Sequence, residues 1–239
     1  MHSKGSVMLD LSRREALLGQ SDLFRDMPPA LIRHVATHAV ERLIRDKDAL
    51  YLKRDALDFF ALVIEGRLYS VIQGPDGREQ IVGSSEAGAV IGESALIAGH
   101  CREASAFACG PTRVLLVGRR HFDPLCAEPL FLSRVLMLVM VRLLQSMELL
   151  EMVCLHRLET RLARFLLANI NERDQTLATP PCVLMPASQS VLAAMLNTSR
   201  PRLNVQLQSW RRLGLISGRA DRIVINDVDH LRRKAYAQN

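Results

Sequence analysis

This chain of 239 residues has few aromatic residues, and its cysteines do not cluster. The five cysteines are scattered, and no two of them have the C-x-x-C spacing of a structural metal site. We therefore expect reduced thiols, no disulfide framework and no metal ligand set, with Cys101 an incidental loop thiol rather than a redox sensor. Because aromatic residues make up only 5% of the chain, aliphatic side chains must fill its cores.

Export signals, long apolar runs and catalytic motifs are also missing. Residues 1–20 are polar and mixed in charge, so no signal peptide is predicted. The longest apolar stretch, Leu130 to Leu144, contains Arg134 and Arg142, and we expect it to be too short and too charged to span a bilayer. No P-loop, nucleophile elbow or H-E-x-x-H motif occurs. The sequence predicts a cytoplasmic protein that is not an enzyme and does not engage a membrane.

Positive charge is concentrated in one part of the chain. Residues 156–239 contain 13 Lys and Arg against 6 Asp and Glu, whereas residues 1–155 contain 18 against 19. The net charge of +6 therefore arises entirely from the C-terminal part. Such an asymmetry is typical of a domain that contacts the phosphates of DNA.

Two short helices in that basic part have the pattern of a helix–turn–helix. Ser188 can cap the first, which is predicted to extend to Leu196, and Ser199 can cap the second, with Pro201 in its first turn. Asn197-Thr198 is a very short connection, and Asn tolerates the left-handed conformation that such a turn needs. A helical hairpin packed in a core is the alternative, but the pattern favours a DNA-reading helix–turn–helix.

The second of these helices has an apolar back, formed by Leu203, Leu207 and Trp210, and a polar front. Arg200 on the front could donate two hydrogen bonds to guanine, Asn204 could read adenine, and the Val205 methyls could meet thymine. Phosphate contact or a solvated surface would each explain Arg211 and Arg212. The predicted DNA-contacting residues are Ser188, Gln189, Ser199, Arg200, Pro201, Arg202, Asn204, Val205 and Arg211.

The N-terminal part is predicted to contain two short helices, Leu9–Leu18 and Pro29–His38, followed by many short strands. A Gly-Pro-Asp-Gly turn at residues 74–77 predicts a hairpin, and the close spacing of the strands favours a small antiparallel barrel or sandwich. The predicted strands are Val40–Ile44, Ala49–Leu52, Phe59–Ile64, Leu68–Ile72, Gln80–Val82, Ala104–Ala108 and Arg113–Val117.

A long apolar helix is predicted from Pro129 to Leu155. Apolar residues recur in heptad spacing along it, which predicts a seam with a second helix and hence a homodimer. The alternative is a single helix packed on its own barrel, and further apolar residues would allow both contacts at once. The predicted seam consists of Leu136, Met140, Leu143, Met147 and Leu150.

Beyond the long helix, a winged architecture is predicted around the helix–turn–helix. A helix over His156–Asn171 and a short strand over Cys182–Met185 precede it. Two strands around Ala220-Asp221, over Leu215–Arg219 and Arg222–Ile225, form the wing, and Asp227 caps a last helix.

From about Leu23 to the C-terminus, this order of elements resembles the CRP/FNR family of bacterial transcription regulators. The stretch from Leu50 to Gly66 is similar to the family's early strands, Ile91 to Gly99 to its phosphate cassette, and Thr198 to Ile216 to its recognition helix and exit. The resemblance implies an α+β fold: a cupin or jelly-roll-like antiparallel β-barrel for effectors over residues 1–128, a dimerisation helix over 129–155, and a winged helix–turn–helix over 156–239. The family usually has glycine where this chain has Lys47 and Arg54.

In cyclic-AMP-binding members of the family, a Glu holds the ribose, an Arg followed by a Ser holds the cyclic phosphate, and the long helix touches the adenine. The resemblance places the effector site at Gly92, Glu93, Ser94, Arg102, Glu103 and Ser146. Glu103 stands where Ser is expected, and its carboxylate would repel a cyclic phosphate. We therefore expect another small effector, or none, rather than cyclic AMP, which stays an alternative together with a cyclic dinucleotide.

The resemblance also bears on cofactors and partners. Oxygen-sensing members hold an iron–sulfur cluster on N-terminal cysteines; none precedes Cys101 here, so no such cluster is expected. Adjacent His100 and Cys101 offer only slight support for heme. The implied partners are double-stranded DNA with a two-fold symmetric site, a second copy of the chain, and RNA polymerase.

Overall fold

The computed structural model describes residues 9–56, 58–96, 101–170, 180–186, 188–219 and 222–236. The chain divides into two compact units. The first comprises residues 1–72 and 82–145, and the second comprises residues 73–81 and 146–239.

Two helices open the first unit: α1 (Leu11–Gln20) and α2 (Pro29–His38). Asp10 caps α1, because its carboxylate accepts a hydrogen bond from the backbone N–H of Arg13 at 2.7 Å. Pro29 begins α2 at a position where its missing N–H costs nothing. The predicted bounds of α2 are confirmed, whereas α1 begins and ends two residues later than predicted.

Eight strands follow and form two four-stranded antiparallel sheets. One sheet has the order β1-β8-β3-β6 and the other β2-β7-β4-β5. The strands are β1 (Val40–Ile44), β2 (Ala49–Tyr51), β3 (Phe59–Glu65), β4 (Arg67–Gln73), β5 (Glu79–Glu86), β6 (Val90–Ile91), β7 (Ser105–Ala108) and β8 (Thr112–Gly118). The sequence does not predict β6, and the predicted strand Gln80–Val82 ends four residues before β5 does.

The first unit therefore has the jelly-roll-like α+β architecture that the sequence predicts, with one difference. Among the described residues, hydrogen bonds do not join the two sheets into a closed barrel. A core that includes Phe24, Phe60, Leu115 and Phe131 lies under α1 and α2, and a second core around Val63, Leu68 and Val114 lies between strands. Burial of these side chains from water is the main stabilising contribution.

A short helix, α3 (Asp123–Cys126), precedes the long apolar helix α4 (Pro129–Leu155). The predicted bounds of α4 are confirmed. One face of α4 packs on the first unit, where Phe131 is buried and Val135 and Leu138 contact the core. The two arginines expected to interrupt the apolar stretch also pair within this unit. Arg134 lies 3.2 Å from Asp26, and Arg142 lies 3.3 Å from Glu93.

By length and composition alone, α4 could cross a membrane, with a mean hydropathy of 1.7 over its best 18 residues. The expectation that its charges exclude this is therefore not met. A single helix of this kind is weak evidence for a span, because the test considers length and composition only. One face of α4 is held within the first unit by apolar packing and by the ion pairs of Arg134 and Arg142.

The second unit contains the predicted winged helix–turn–helix. Its elements are α5 (Leu158–Ala168), β9 (Cys182–Leu184), α6 (Gln189–Met195), α7 (Arg200–Arg212), β10 (Ile216–Gly218), β11 (Arg222–Ile225) and α8 (Val228–Tyr236). The strands form one antiparallel sheet in the order β10-β11-β9. Trp210 is buried at its centre among Leu162, Leu192 and Leu231. The wing turn, Ala220-Asp221, lies outside the described residues.

Candidate nucleic-acid interface and effector cassette

Serine side chains begin both helices of the helix–turn–helix. Ser188 Oγ accepts a hydrogen bond from the backbone N–H of Val191 at 3.2 Å, and Ser199 Oγ accepts one from Arg202 at 3.5 Å. Each serine thereby satisfies one of the free N–H groups of the first turn. The caps agree with the sequence prediction and fix where α6 and α7 begin.

The connection between α6 and α7 depends on a left-handed residue. Asn197 has a φ of +46°, as the sequence predicts, and the backbone N–H of Thr198 returns to the carbonyl of Ala193 at 2.9 Å. The carbonyl of Asn197 accepts a hydrogen bond from Arg161 of α5 at 3.3 Å. This turn is thus held by both backbone and side-chain contacts, which sets the direction in which α7 leaves it.

The back of α7 is fully packed. Leu203, Leu207 and Trp210 are each at most 1% exposed, and they contact Leu192 and Leu196 of the preceding helix and its end. Burial of one large apolar side chain of this kind contributes about 1.5–3 kcal/mol. The packed back leaves α7 one surface with which to contact another molecule.

The front of α7 faces solvent at its N-terminal end. Arg200, Pro201 and Arg202 are exposed, Asn204 is half-buried, and Val205 is 65% exposed. An exposed valine beside an arginine and an amide is an arrangement suited to base edges, where the thymine methyl offers an apolar contact. Base contact by these residues stays a prediction.

The remaining residues of the predicted DNA-contacting set surround this front. Ser188 is exposed and Gln189 is half-buried at the start of α6. Near the end of α7, Arg212 is exposed and Arg211 is half-buried, with an Nε that has no hydrogen-bond partner among the described residues. Because that Nε is buried, it does not offer a donor to a phosphate, and phosphate contact by Arg211 stays a prediction.

The cassette lies at the end of β6 in the first unit. Gly92 has a φ of +82°, and the short 3₁₀ turn Glu93–Leu96 follows it. A Cβ at Gly92 would collide with Nη1 of Arg102, so this glycine is required by close packing as well as by its φ. Residues Ile97–His100, and with them the histidine considered for heme, lie outside the described residues.

Arg102, the predicted phosphate ligand, is only 1% exposed. Its guanidinium lies over the ring of Tyr51 at 4.2 Å and over that of Phe59 at 4.7 Å. Nη1 donates to the carbonyl of Gly92 at 3.1 Å, and Nη2 donates to the carbonyl of Phe59. The arginine therefore donates from both terminal nitrogens to backbone carbonyls and contacts two aromatic rings, whereas its buried Nε has no hydrogen-bond partner among the described residues.

Burial shifts the ionisation of this pair of residues. Loss of water raises the pKa of Tyr51 to about 12, although the positive charge of Arg102 opposes that shift. Loss of water also lowers the pKa of Arg102 from its ordinary value. Arg102 stays charged near neutral pH, since a guanidinium ordinarily titrates above pH 12, and its stacked rings and carbonyls compensate for lost hydration.

Glu93, the predicted ribose ligand, is paired with a residue that sequence analysis did not place at this site. Arg142 of α4 donates through Nε to Glu93 at 3.3 Å, and through Nη2 to Ser85 Oγ at 3.3 Å and the carbonyl of Val90 at 3.2 Å. An arginine inside an otherwise apolar helix could have signalled such an inward ion pair. The partners themselves come from β5, β6 and the cassette, far away in sequence.

The other predicted effector residues differ in exposure and in position. Ser94 is half-buried, and Glu103 is exposed beside the buried Arg102. Ser146 is exposed on α4 and belongs to the second unit, whereas the cassette belongs to the first. Effector binding by any of these residues stays a prediction.

Many apolar side chains of α4 do not pack on a core and are exposed. The five predicted seam residues are all strongly exposed: Leu136 by 63%, Met140 by 44%, Leu143 by 51%, Met147 by 60% and Leu150 by 63%. Soluble monomers rarely expose apolar patches of this extent, which usually mark an interface.

Comparisons with known proteins identify both units. A family model of the cyclic nucleotide-binding domain matches residues 41–128, and a model of the Crp-like helix-turn-helix domain matches residues 160–234. One curated protein, a lysophospholipase from Aspergillus terreus, is 28% identical over 113 residues, but the match spans only 7% of that protein. So small a share carries no activity over to this chain.

Several solved structures share the fold. FixK2 from Bradyrhizobium japonicum is 21% identical, with a TM-score of 0.68 over 84% of this chain and 99% of its own. The c-di-GMP responsive global regulator CLP from Xanthomonas campestris is 18% identical, with a TM-score of 0.72 over 84% and 100%. A CRP-family transcriptional regulator from Thermus thermophilus is 23% identical, with a TM-score of 0.65 over 81% and 96%.

Proposed function

Because this chain belongs to the CRP/FNR family of transcription regulators, we propose that it acts in the cytoplasm as a homodimer that reads a two-fold symmetric DNA site. The observation that carries this proposal is the front of α7, where Arg200 and Val205 are exposed on a helix whose back is fully buried. The net charge of +7 over residues 156–239 would support phosphate contacts around it.

The proposed reading differs from that of the family's prototype. Arg200 occupies the position of the family's base-reading arginine and is assigned to guanine. Such a contact would favour guanine over another base by about 1–3 kcal/mol. Pro201 and Val205 replace the glutamate and second arginine that the resemblance would lead us to expect. We therefore expect a half-site of different sequence, with Asn204 directed to an adenine and Val205 to a thymine.

Dimerisation is assigned to α4. Pairing of two copies along Leu136, Met140, Leu143, Met147 and Leu150 would cover side chains that are otherwise 44–63% exposed. It would also present two copies of α7, which must lie about one helical turn of DNA apart, or a multiple of it, to occupy successive major grooves. An RNA polymerase contact is part of the proposal by family likeness alone.

Selection of DNA from a random pool by the purified full-length chain tests the proposal. We expect enrichment of a palindrome whose half-sites are centred about 10 base pairs, or a multiple, apart. Leu143→Glu should give monomers in light scattering and lose the palindrome, because a charge cannot be buried in the seam. Gln145→Glu adds the same charge to an exposed position outside the seam and should leave the dimer intact. Enrichment of no sequence by the dimer would refute the proposed reading.

For the effector, we propose that cyclic AMP is not the ligand. Arg102 is committed to Gly92, Phe59 and Tyr51, so a cyclic phosphate would have to break buried contacts to reach it. The exposed Glu103 beside it would repel a phosphate. Calorimetric titration with cyclic AMP should therefore give no binding heat and leave DNA affinity unchanged; saturable binding would contradict this.

A cyclic dinucleotide is the second candidate, since Glu103 could accept hydrogen bonds from a guanine edge. One structural relative is described as responsive to c-di-GMP. The same calorimeter distinguishes the two: saturable heat with c-di-GMP that is lost in Glu103→Gln would support this candidate. No heat with either nucleotide would favour a different effector, or a regulator whose N-terminal domain serves only dimerisation and polymerase contact.

A further inference from the structure

A cluster of three histidines lies in the first unit, away from the cassette. His34 and His38 are four residues apart on α2 and so share one face of the helix. His121 ends a short turn, Arg119–His121, that follows β8. The ring centroids of His38 and His121 are 4.2 Å apart, and those of His34 and His38 are 4.6 Å apart.

We propose that His34, His38 and His121 form a binding site for a divalent transition-metal ion, with Zn²⁺ as the reference ligand. One ring nitrogen from each histidine lies within 4.8 Å of the other two. Three nitrogens on a tetrahedral zinc ion are about 3.4 Å apart, given zinc–nitrogen distances of about 2.0–2.1 Å. Each nitrogen would therefore move inward by at most about 0.8 Å, and the stacked rings of His38 and His121 would have to rotate so that their in-plane lone pairs point to one ion.

The hydrogen bonds of two rings favour this assignment. Nδ1 of His38 lies 2.8 Å from the carbonyl of His34, and a proton there leaves the Nε2 lone pair free for a metal. Metal-bound histidines usually donate their other N–H to a carbonyl or carboxylate in this way. Nε2 of His34 is buried and has no hydrogen-bond partner among the described residues. Contacts between the rings can account for their proximity, but they do not account for the orphaned nitrogen of His34.

The fourth position of the site would open onto a pocket. His38 and His121 line a cavity of about 440 Å³ together with Asp58, Phe59 and Arg119. Water, or a small ligand in that cavity, could complete a three-histidine zinc site, as is usual where zinc keeps one open coordination position. Asp58 contributes a carboxylate to the lining that could accept a hydrogen bond from such a water.

One neighbour opposes metal binding. Nε of Arg120 donates to Nε2 of His121 at 2.9 Å, which occupies that lone pair and brings a positive charge close to the site. Arg120 is exposed, so its side chain can leave without breaking a buried contact. The site should therefore bind metal with an affinity that Arg120 limits, and this gives the proposal a second, independent test.

The first test is competition titration of Zn²⁺ against a chromophoric chelator, with tag-free, metal-stripped full-length protein. We expect one ion per chain, and an affinity at least about tenfold lower in His38→Ala and in His121→Ala. His38 is exposed, so its loss should not unfold the protein. His230→Gln, on α8 of the second unit, is the matched control and should bind like the parent. X-ray absorption should show imidazole nitrogens around the ion.

The second test concerns the arginine. Arg120→Gln should raise zinc affinity several-fold, whereas Arg45→Gln, which removes an exposed charge elsewhere, should not. Binding of the same stoichiometry by a variant lacking all three histidines would overturn the proposal and point to the cysteines instead. Failure of the parent protein to bind zinc would overturn it as well.

Discussion

The two units each present an arginine at the position where the family resemblance expects a ligand, yet the two side chains are in opposite states. Arg200 is exposed at the N-terminal end of α7. Arg102 is 1% exposed, stacked on two rings and bonded to two carbonyls. Arg200 is accessible to a partner from solvent, whereas the terminal nitrogens of Arg102 are buried and already donate to carbonyls of their own unit.

The largest expected effect tests the structural role of Arg102. Arg102→Ala should lower the free energy of unfolding by about 3 kcal/mol, because it leaves a cavity and removes a charged donor from the carbonyls of Phe59 and Gly92, of which the latter keeps the N–H of Ala95. Arg102→Met keeps the stem between the rings and should lose about half as much. Urea unfolding followed by circular dichroism measures both. Arg200→Ala, the matched exposed arginine, should change stability by less than about 0.5 kcal/mol.

Unchanged unfolding in both Arg102 variants would break the comparison, because the guanidinium would then be free to serve a ligand. The single tryptophan offers an internal check. Trp210 is buried in the second unit, so its fluorescence should follow that unit and respond less to changes at Arg102.

In DNA binding, the order of effects should be reversed: Arg200→Ala should have a larger effect than Arg102→Ala. Arg200→Ala should lose about 1–3 kcal/mol of preference for the selected site over a scrambled one, since it removes the assigned guanine contact. Weak, salt-sensitive binding should remain, because phosphate contacts do not depend on sequence. Fluorescence anisotropy on both sites measures the ratio. A retained preference would show that another residue reads the guanine.

A smaller effect concerns the backbone of the two units. Lys47 in the first has a φ of +68° and Asn197 in the second a φ of +46°. Asn tolerates the left-handed region better than Lys, so Lys47→Gly should stabilise the protein by about 0.5 kcal/mol while Asn197→Gly is nearly neutral. Thermal unfolding of both variants measures the difference. Equal shifts of the melting temperature in the two variants would show that local hydrogen bonds, and not the type of side chain, determine the cost of the left-handed conformation.

Local signals account for what could be predicted from the sequence. Ser188, Asn197 and Ser199 act through bonds within a few residues, and the bounds of α4 follow from its apolar period. Strand β6 has two residues, too few for any period to be visible. The environment of Arg102 depends on Phe59, 43 residues away, and that of Glu93 on Arg142, 49 residues away. Only the folded sheet brings such residues together, so their engagement with one another could not be foreseen.

The smallest expected effect compares ion pairs in the two units. Glu93 pairs with Arg142 in the first, where their side chains are only 18% and 29% exposed. Glu159 of α5 pairs with Lys234 of α8 at 2.9 Å, where both are more than 40% exposed. The hydrogen bond from Lys234, supported by Gln206 of α7, lowers the pKa of Glu159 from its ordinary value. Solvent screening keeps the value of such an exposed pair to about 0.3 kcal/mol.

Because the folded-state pKa of Glu159 is the lower one, its contribution to stability is present above the unfolded pKa of 4.5 and is lost as the pH falls through the folded value. Glu159→Gln should therefore destabilise the second unit slightly at pH 7, with the difference from the parent shrinking below pH 4.5. Trp210 fluorescence in urea measures this. Asp229→Asn, which removes the more exposed pair with Arg232, should change less. If Glu159→Gln destabilised the protein equally at low pH, the loss would come from packing and not from the charge of Glu159. The ion pair between Glu159 and Lys234 would then contribute nothing to stability through its charge.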